Sequence, residues 1–528
     1  MKRLIYKDCC RAMLKPLVIS LCGDLSIYLV TILTAKVLGN FADAVFKLDI
    51  AYARENIMRL LICISLTVFI FPLLELICNI SMLKGALLHD RIISSRFLDK
   101  EYKKAMALDE GEVQYRLEND PNNFRIYWMD IATKIIVTLI SAVVLLFNTL
   151  SINIWFGIST ICLSLLKLLV PAFVLHVESK FDREEREYLT GVRAYEADIV
   201  RQPHIVRLFA LKNALCSRLD EKFKSYYHRT MKKSITYKEI SGSISNLVNT
   251  SASLVIFIVG AVMVANKSIS PGSVAEMFGY LAIFDNLLNN ISAVVKGIPV
   301  IKNISDRLMT IYADSEANGG IDIQDNLFPI IVDNLSYSYD EKGKIIDGLS
   351  FNIQKGDKIA ICGSNGSGKS TLLKILSGLL KDYDGKITIS SSELKELNLD
   401  AWRSCFAYAM QDVCLFPGTV YDNIRLGNIN ATDDRIKNLM DNLGILYLKD
   451  MVLDASGGTL SGGEKQRISI ARALIRDTPI ILLDEPNNSL DADGLNWVCK
   501  FIEMWDKTII YVSHNKRLTA CANKVVHL

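Results

Sequence analysis

Six apolar windows, each long enough to cross a bilayer, lie before residue 301 of this 528-residue chain, and none follows. A helical span needs about 20 mostly apolar residues to cover the hydrocarbon core. The windows run approximately over residues 16–38, 57–82, 131–150, 152–178, 247–266 and 274–299. The third and fourth meet at Thr149-Leu150-Ser151-Ile152, which leaves room only for a tight hairpin. Lys2, Arg3 and Lys7 ahead of the first window could be taken for the start of a signal peptide. The apolar run is too long for one, and no small-residue cleavage site follows. Half the residues are apolar and only 22% are charged, which excludes disordered, collagen-like and purely cytosolic chains. A net charge of +3 gives no electrostatic case for nucleic acid as a partner.

Basic residues set the expected orientation. Lys2, Arg3, Lys7, Arg11 and Lys15 precede the first window, and Lys84, Arg91, Arg96, Lys100, Lys103, Lys104, Arg116 and Arg125 lie between the second and third. The stretch from Lys180 to Lys238 is richer still, whereas the opposite loops hold little beyond Lys47, Arg54, Arg59 and Lys267. Both termini are therefore expected in the cytosol. The two inner connections are about 40 and 70 residues long, rich in helix formers and nearly free of Pro and Gly, which predicts long helices extending beyond the membrane. Twelve scattered cysteines form no C-x-x-C pair. Cys22, Cys63, Cys78 and Cys162 sit inside apolar runs, as small core residues would.

After Ile301 the pattern changes to short β-rich runs (358–362, 480–483, 508–512) alternating with helical stretches, the mark of a soluble α/β domain. Gly363-Ser364-Asn365-Gly366-Ser367-Gly368-Lys369-Ser370-Thr371 follows the first of these runs and opens a helical one. That is the context a phosphate-binding loop requires. Its glycines let successive backbone N–H groups turn toward phosphate oxygens, and the helix N-terminus adds its positive end. Lys369 would reach the β- and γ-phosphates, and Ser370 would ligate Mg²⁺. A plain glycine turn would leave Lys369-Ser370 unexplained.

Ile480–Leu483 ends in Asp484-Glu485-Pro486. Two adjacent carboxylates facing a phosphate loop suggest divided labour: Asp484 on Mg²⁺, Glu485 on the attacking water. An acidic strand-to-loop junction is also an ordinary solvated turn. Between these elements lies Leu460-Ser461-Gly462-Gly463-Glu464-Lys465-Gln466-Arg467. Ser461 with Glu464 three residues on makes a good capping box, but a cap alone does not call for the glycine pair. One nucleotide needs one cradle, so a second anion-friendly turn makes sense if it closes over a nucleotide held by another copy of the domain.

With these residues in order, the C-terminal domain resembles the nucleotide-binding domain of ATP-binding cassette (ABC) transporters, and Leu460–Gln466 looks like their signature motif. The resemblance implies further roles. Tyr339 matches the aromatic that stacks on adenine, Gln411 the glutamine that senses Mg²⁺ and couples to the membrane domain, and His514 the switch histidine at the γ-phosphate. Asn488-Ser489-Leu490-Asp491 looks like the D-loop. Mg²⁺ would be held by Ser370, Gln411 and Asp484, with ATP as substrate. Gly111–Asp120 resembles the stretch after the first coupling helix, and Tyr195–Ala210 the region around the second. Three departures stand out: Ala455 occupies a position that is often acidic in the family, the segment between Asn423 and the signature is shorter than usual, and Asn487-Asn488 replaces a Thr-Ser-like pair before the D-loop.

The whole chain is thus similar to a half-size exporter. The expected architecture is an all-α transmembrane domain of six helices with long cytosolic extensions (residues 1–315), a linker (316–328) and an α/β P-loop NTPase domain of ABC type (329–528). The expected function is ATP-driven export by alternating access, by a homodimer first and a heterodimer otherwise, in a multi-pass position in a cell membrane. Short loops and the lack of an organelle-targeting presequence favour a bacterial plasma membrane. A peptide or bacteriocin-like cargo comes first, a drug-like or lipid-like one second. A nucleotide-gated regulatory half is the third reading, against which Glu485 speaks. Asp24, Glu75 and Lys167 fall in or near spans, where charge is costly. Asp24 and Glu75 either face a substrate cavity, or sit near helix ends or pair with Lys36 and Lys134.

Overall fold

The computed structural model describes residues 2–108, 110–167, 184, 188–189, 191–193, 195–316, 319–323, 326–339, 343–454, 460–487 and 492–528. The chain divides into two compact units, one of residues 1–98 and 110–313, the other of residues 99–109 and 314–528.

The first unit is helical. Helix α1 runs Lys2–Phe46; α2 (Ile50–Ser65) passes through one wide π turn at Leu66–Ile70 into α3 (Phe71–Leu98). α5 covers Glu110–Ile152 and α6 Ile154–Leu166. α7 is the short Pro203–Leu208, α8 is Lys212–Tyr226, α9 is Lys232–Ala265 and α10 is Pro271–Tyr312. Four of the described helical stretches, residues 2–46, 50–98, 111–152 and 212–265, are long and apolar enough to cross a membrane. The fourth window is described only as far as Lys167, and the sixth lies within α10, where Glu276, Asp285 and Lys296 dilute the apolar run.

At 1.5 Å per residue the 43 residues of α5 span about 65 Å, twice the hydrocarbon core. Its first turns therefore project out of the bilayer, as the near absence of Pro and Gly predicts. The projecting parts of α5 and α10 are clasped by Asp120, which is fully buried and accepts two hydrogen bonds from Arg307, at 2.9 and 2.6 Å. Ile5, Cys9, Met13, Ile93, Phe124, Ile304 and Leu308 pack around this region as one apolar cluster. A second cluster inside the bilayer-spanning part joins Leu145, Phe156, Ile256, Met277 and Tyr280.

Three expectations are corrected. The hairpin placed at Thr149–Ile152 lies at Asn153, because α5 continues through Ile152 and the Asn153 side chain caps α6 by accepting from the N–H groups of Trp155 and Phe156. The Thr149 and Ser151 hydroxyls instead bond back to the carbonyls of Leu146 and Asn148 within α5, so the N-cap falls to Asn153. Of the four cysteines read as core, Cys22 and Cys162 are exposed on their helices. An apolar run does not say which side of a membrane helix faces protein. Asp24 and Glu75 do not pair with Lys134, which bonds to Asp130 one turn away on its own helix at 2.7 Å.

In the second unit, β1 (Ile330–Tyr337), β2 (Ile346–Ile353), β4 (Asp384–Ile389) and β5 (Ser392–Glu393) form an antiparallel sheet in the order β2-β1-β4-β5. The parallel sheet has the order β11-β3-β10-β9-β6, from β3 (Lys358–Cys362), β6 (Phe406–Ala409), β9 (Ile480–Asp484), β10 (Thr508–Val512) and β11 (Lys524–His527). A small pair, β7 (Gly418–Thr419) with β8 (Val452–Leu453), completes the strands. Strands β9 and β10 are buried along their whole length, as expected of parallel strands covered on both faces. The helices are α11 (Lys369–Leu376), α12 (Leu399–Ser404), α13 (Val420–Arg425), α14 (Asp433–Asn442), α15 (Gly462–Leu474), α16 (Ala492–Met504) and α17 (Lys516–Ala520).

Residues 99–109, which carry helix α4 (Tyr102–Met106), belong to this unit. Tyr102 packs against its core, and Lys103 lies 5.7 Å from the Tyr337 ring and 3.4 Å from Asp382. The Gly111–Asp120 stretch therefore follows a short helix that groups with the α/β unit. The segment after α10 is also bound to this unit: Glu316 pairs with Arg403 at 2.6 Å and Lys381 at 3.1 Å. Those two cations hold its carboxyl below the usual range against the opposing effect of burial.

Candidate functional site

Register brings the site together. Val512 of β10 pairs with Ile361 of β3 on one side and with Asp484 of β9 on the other. Ala409 of β6 pairs with Leu483. Four strands therefore end at one level, and the residues just past each end, Gly363, Gln411, Glu485 and His514, emerge along one edge. Loops at the carboxyl ends of parallel strands are where ligands bind in such sheets.

The first loop turns on its glycines. Gly366 and Gly368 have φ of 83° and 94°, a region that favours glycine. A side chain at Gly366 would meet no protein atom within 4 Å, whereas one at Gly368 would strike Ile345 at 2.7 Å. The loop thus keeps an open backbone face toward the cleft while α11 packs tightly behind it. Lys369 is buried and donates to the carbonyls of Gly363 and Ser364, at 3.2 and 2.7 Å. Ser367 Oγ is buried with no hydrogen-bond partner among the described residues. An unused hydroxyl inside a loop of inward-facing N–H groups fits an anionic oxygen.

Across the cleft, Ser370 Oγ donates to Asp484 Oδ1 at 3.1 Å, Gln411 Nε2 donates to Glu485 Oε2 at 2.8 Å, and His514 Nε2 lies 4.0 Å from Glu485 Oε1. Burial pushes the Asp484 carboxyl above its usual range, with Ser370 opposing and Glu485 adding to the rise. A hydroxyl, a carboxylate and an amide oxygen form a hard donor set of the kind Mg²⁺ takes beside phosphate oxygens. Glu485 has φ of 50°, a backbone region costly for a residue with a side chain. Strained residues of this sort cluster at functional sites. The cleft they surround has a volume of about 520 Å³ and is lined by Asn365, Gly366, Gly368, Lys369, Ser370, Thr371, Gln411, Glu485, His514 and Ile345. Tyr339 stands at its margin, partly exposed, with its hydroxyl 3.3 Å from Thr371 Oγ1.

The signature stretch lies elsewhere in the unit and does not line this cleft. Leu460 is buried, Ser461 caps α15, and Glu464 completes the capping box by accepting from the Ser461 N–H at 2.7 Å. Gly462 and Gly463 open the helix. Hydrogen bonds from Tyr447 and Ser461 hold the Glu464 carboxyl below its usual range. Asp491, with Asn488–Leu490, and Ala455 lie outside the described residues. Asn487 is described, and accepts from Ser513 Oγ at 3.1 Å.

Among the membrane helices, Asp24 lines a cavity, whereas Glu75 is exposed on α3 and is not among the residues lining that cavity. Lys167 is buried and pairs with Asp285 of α10 at 2.9 Å. Asp285 went unremarked in the sequence, although an acid within a span is itself a signal. Ile345, which closes one side of the nucleotide cleft, had no such signal.

Both parts of the chain are similar to known proteins. The family description "ABC transporter transmembrane region" matches residues 17–287, and "ABC transporter" matches residues 346–488. A probable ABC transporter ATP-binding/permease protein of Haemophilus influenzae is 26% identical over 467 residues, 84% of this chain and 82% of its own length. The lactococcin-A transport/processing ATP-binding protein of Lactococcus lactis is 26% identical over 75% of this chain, which spans 58% of that protein's length. The lactococcin-G-processing and transport protein of the same species is 28% identical, with the same 58% spanned. The structure of a bacterial Atm1-family ABC exporter with ATP bound has the same fold, with a TM-score of 0.80 over 98% of this chain and 93% of its own, at 19% identity. Two matched regions, a shared fold, and a phosphate loop facing paired carboxylates place this chain in the ABC transporter family, as a transmembrane region joined to an ATP-binding cassette.

Proposed function

We propose that the chain is one half of an ATP-driven exporter. The single observation that carries this reading is the convergence of the Gly363–Thr371 loop, Glu485, Gln411 and His514 on one cleft, with Asp484 bonded to Ser370 of that loop, in a chain that also supplies bilayer-spanning helices. Lys369 and the loop N–H groups would hold the phosphates, and Tyr339 would stack on adenine. Ser370, Asp484 and Gln411 would hold Mg²⁺, which neutralises phosphate charge when bound. Glu485 would take the proton from the attacking water, oriented by Gln411, and His514 would sense the γ-phosphate.

Ser461, Gly463 and Leu460 lie away from that cleft, which supports a dimer in which each signature helix faces the partner's nucleotide. Intact Glu485 and an intact signature in one chain favour two equal copies. The basic inner segments favour cytosolic termini and, with the bacterial relatives, a bacterial plasma membrane. The lactococcin transport proteins among the relatives favour a peptide or bacteriocin-like cargo over a drug-like or lipid-like one.

The test is vectorial transport. The chain is reconstituted in liposomes with its cassettes outward, ATP is added outside, and lumenal accumulation of a labelled bacteriocin-sized hydrophobic peptide is followed while mass photometry counts subunits. ATP-dependent accumulation by a two-copy particle is expected. Nucleotide binding without hydrolysis or uptake would instead support the regulatory half.

A further inference from the structure

The membrane helices enclose a second feature with its own chemistry. A cavity of about 430 Å³ opens between α1, α3, α5 and α10, and its polar lining residues are Ser20, Asp24, Tyr28, Asp130, Thr133, Lys134 and Asn290, the Thr133 hydroxyl being bonded back to the Met129 carbonyl. That volume suits one or two amino-acid residues, not a whole peptide. Two carboxylates face one ammonium, so the lining carries one excess negative charge. The ammonium is already committed, because Lys134 sits 2.7 Å from Asp130. Asp24 has no cationic partner among the described residues; its hydrogen bond is from Ser20 Oγ, long at 3.4 Å. It lies eight residues into the first window, about 12 Å along the helix. An uncompensated carboxylate at such depth is costly and marks a functional position.

The neighbours of Asp24 narrow the ligand. Asn290 Nδ2 donates to the Tyr28 hydroxyl at 3.2 Å, which fixes both side chains and leaves the Asn290 carbonyl oxygen as an acceptor. A carboxylate, a phenolic oxygen and an amide oxygen offer three acceptors, and a primary ammonium has three donors. Beyond Tyr28 lies an apolar cavity of about 280 Å³, walled by Leu29, Ile140 and Val144. The ligand that satisfies both cavities is a cation with an apolar neighbour.

We propose that this pair of cavities is the recognition site for a primary ammonium group carried beside an apolar segment of the cargo, with Asp24 as its counter-ion. The word cargo rests on the exporter reading above, but the site itself does not. Lys134 tunes it by neutralising Asp130, which keeps the pocket at one net negative charge.

The experiment uses the full chain in lipid nanodiscs at pH 7, with empty nanodiscs as background. The probes are tritiated Leu-Leu-Leu amide, its N-acetyl analogue, and n-octylamine as competitor. The free amine is expected to bind at least tenfold more tightly than the acetylated peptide. Asp24→Asn should abolish that preference. Lys134→Gln, which releases Asp130, should enlarge it several-fold, a gain that misfolding cannot produce. Competition by octylamine would name amphiphilic amines as the source, and its absence would name peptides; either outcome supports the site. Equal binding of the two peptides, or a preference untouched by both substitutions, overturns it. ATP hydrolysis on the same preparations separates the two readings. Turnover without amine preference sinks the pocket alone, and amine preference without turnover sinks the pump alone.

Discussion

Replacing Glu485 with glutamine keeps the side chain's size and removes its charge and basicity. In the structure Glu485 Oε2 accepts from Gln411 Nε2 at 2.8 Å, and Oε1 lies 4.0 Å from His514 Nε2. An amide has one acceptor, so to keep the Gln411 bond its oxygen must take the Oε2 position and its NH₂ must face His514. The bond then falls from charge-assisted to neutral, a loss of about 1 kcal/mol in positioning. Removing a general base costs about 10²–10⁴ in rate, or roughly 2.7–5.4 kcal/mol of barrier. Glu485→Gln should therefore lower ATP turnover by about 10²–10⁴-fold while ATP affinity changes by less than about tenfold. Phosphate release by the chain in nanodiscs, beside equilibrium binding of a fluorescent nucleotide, reads both. Glu485→Gly is the companion variant: at φ of 50° glycine relieves about 1 kcal/mol of backbone strain. The nucleotide-free protein should melt no lower than the parent although turnover is lost. A glutamine variant that keeps more than a tenth of the parental rate would refute Glu485 as the base, and a destabilised glycine variant would refute the strain.

The raised Asp484 carboxyl makes a second, independent prediction. Its folded value lies above its unfolded one, so its favourable contribution is complete below the ordinary carboxylate range and is lost as pH rises through the folded value. At pH 7 Asp484→Asn should therefore raise the melting temperature of the nucleotide-free chain and abolish Mg²⁺-dependent nucleotide stabilisation. A lower melting temperature would contradict this. His89 is fully buried against Arg125, and burial followed by that charge lowers its pKa to about 4 from 6.5. Neutral in the fold, it costs stability as pH falls from about 6.5 to about 4, and His89→Gln should flatten that part of the stability curve measured by denaturant unfolding. Asp120→Ala removes a buried acceptor but leaves Arg307, 44% exposed, free to turn to water, and should destabilise the membrane unit by about 1 kcal/mol. Asp120→Asn, which keeps one acceptor, should lose less in the same assay.

Some of this protein was legible because local chemistry repeats locally. Nine consecutive residues spell the phosphate loop, since every one of them contributes backbone or side chain to the same turn. The capping box at Ser461–Glu464 reads as plainly, because a helix start is closed by residues three apart. The long helices beyond the bilayer follow from helix-forming segments without Pro or Gly. Residues 99–109 do not announce that they belong with the cassette, because eleven residues between helices carry no periodicity to say which core they join. Nor do Lys134 and Lys167 announce their partners: one is taken by Asp130 on its own helix, the other by Asp285, 118 positions away.

By itself the sequence determined the two-part organisation, the nucleotide loop, the paired carboxylates and the family. Each of these depends on length, composition or short-range spacing, which the chain carries without folding. The tertiary structure alone decided that Gly363, Gln411, Glu485 and His514 share one edge, since that needs strand register between segments up to about 150 positions apart. It alone decided that Asp24 lines the cavity between α1, α3, α5 and α10 while Glu75 stands exposed. Both are lone acids in apolar runs, and only helix packing determines which face of a helix meets another.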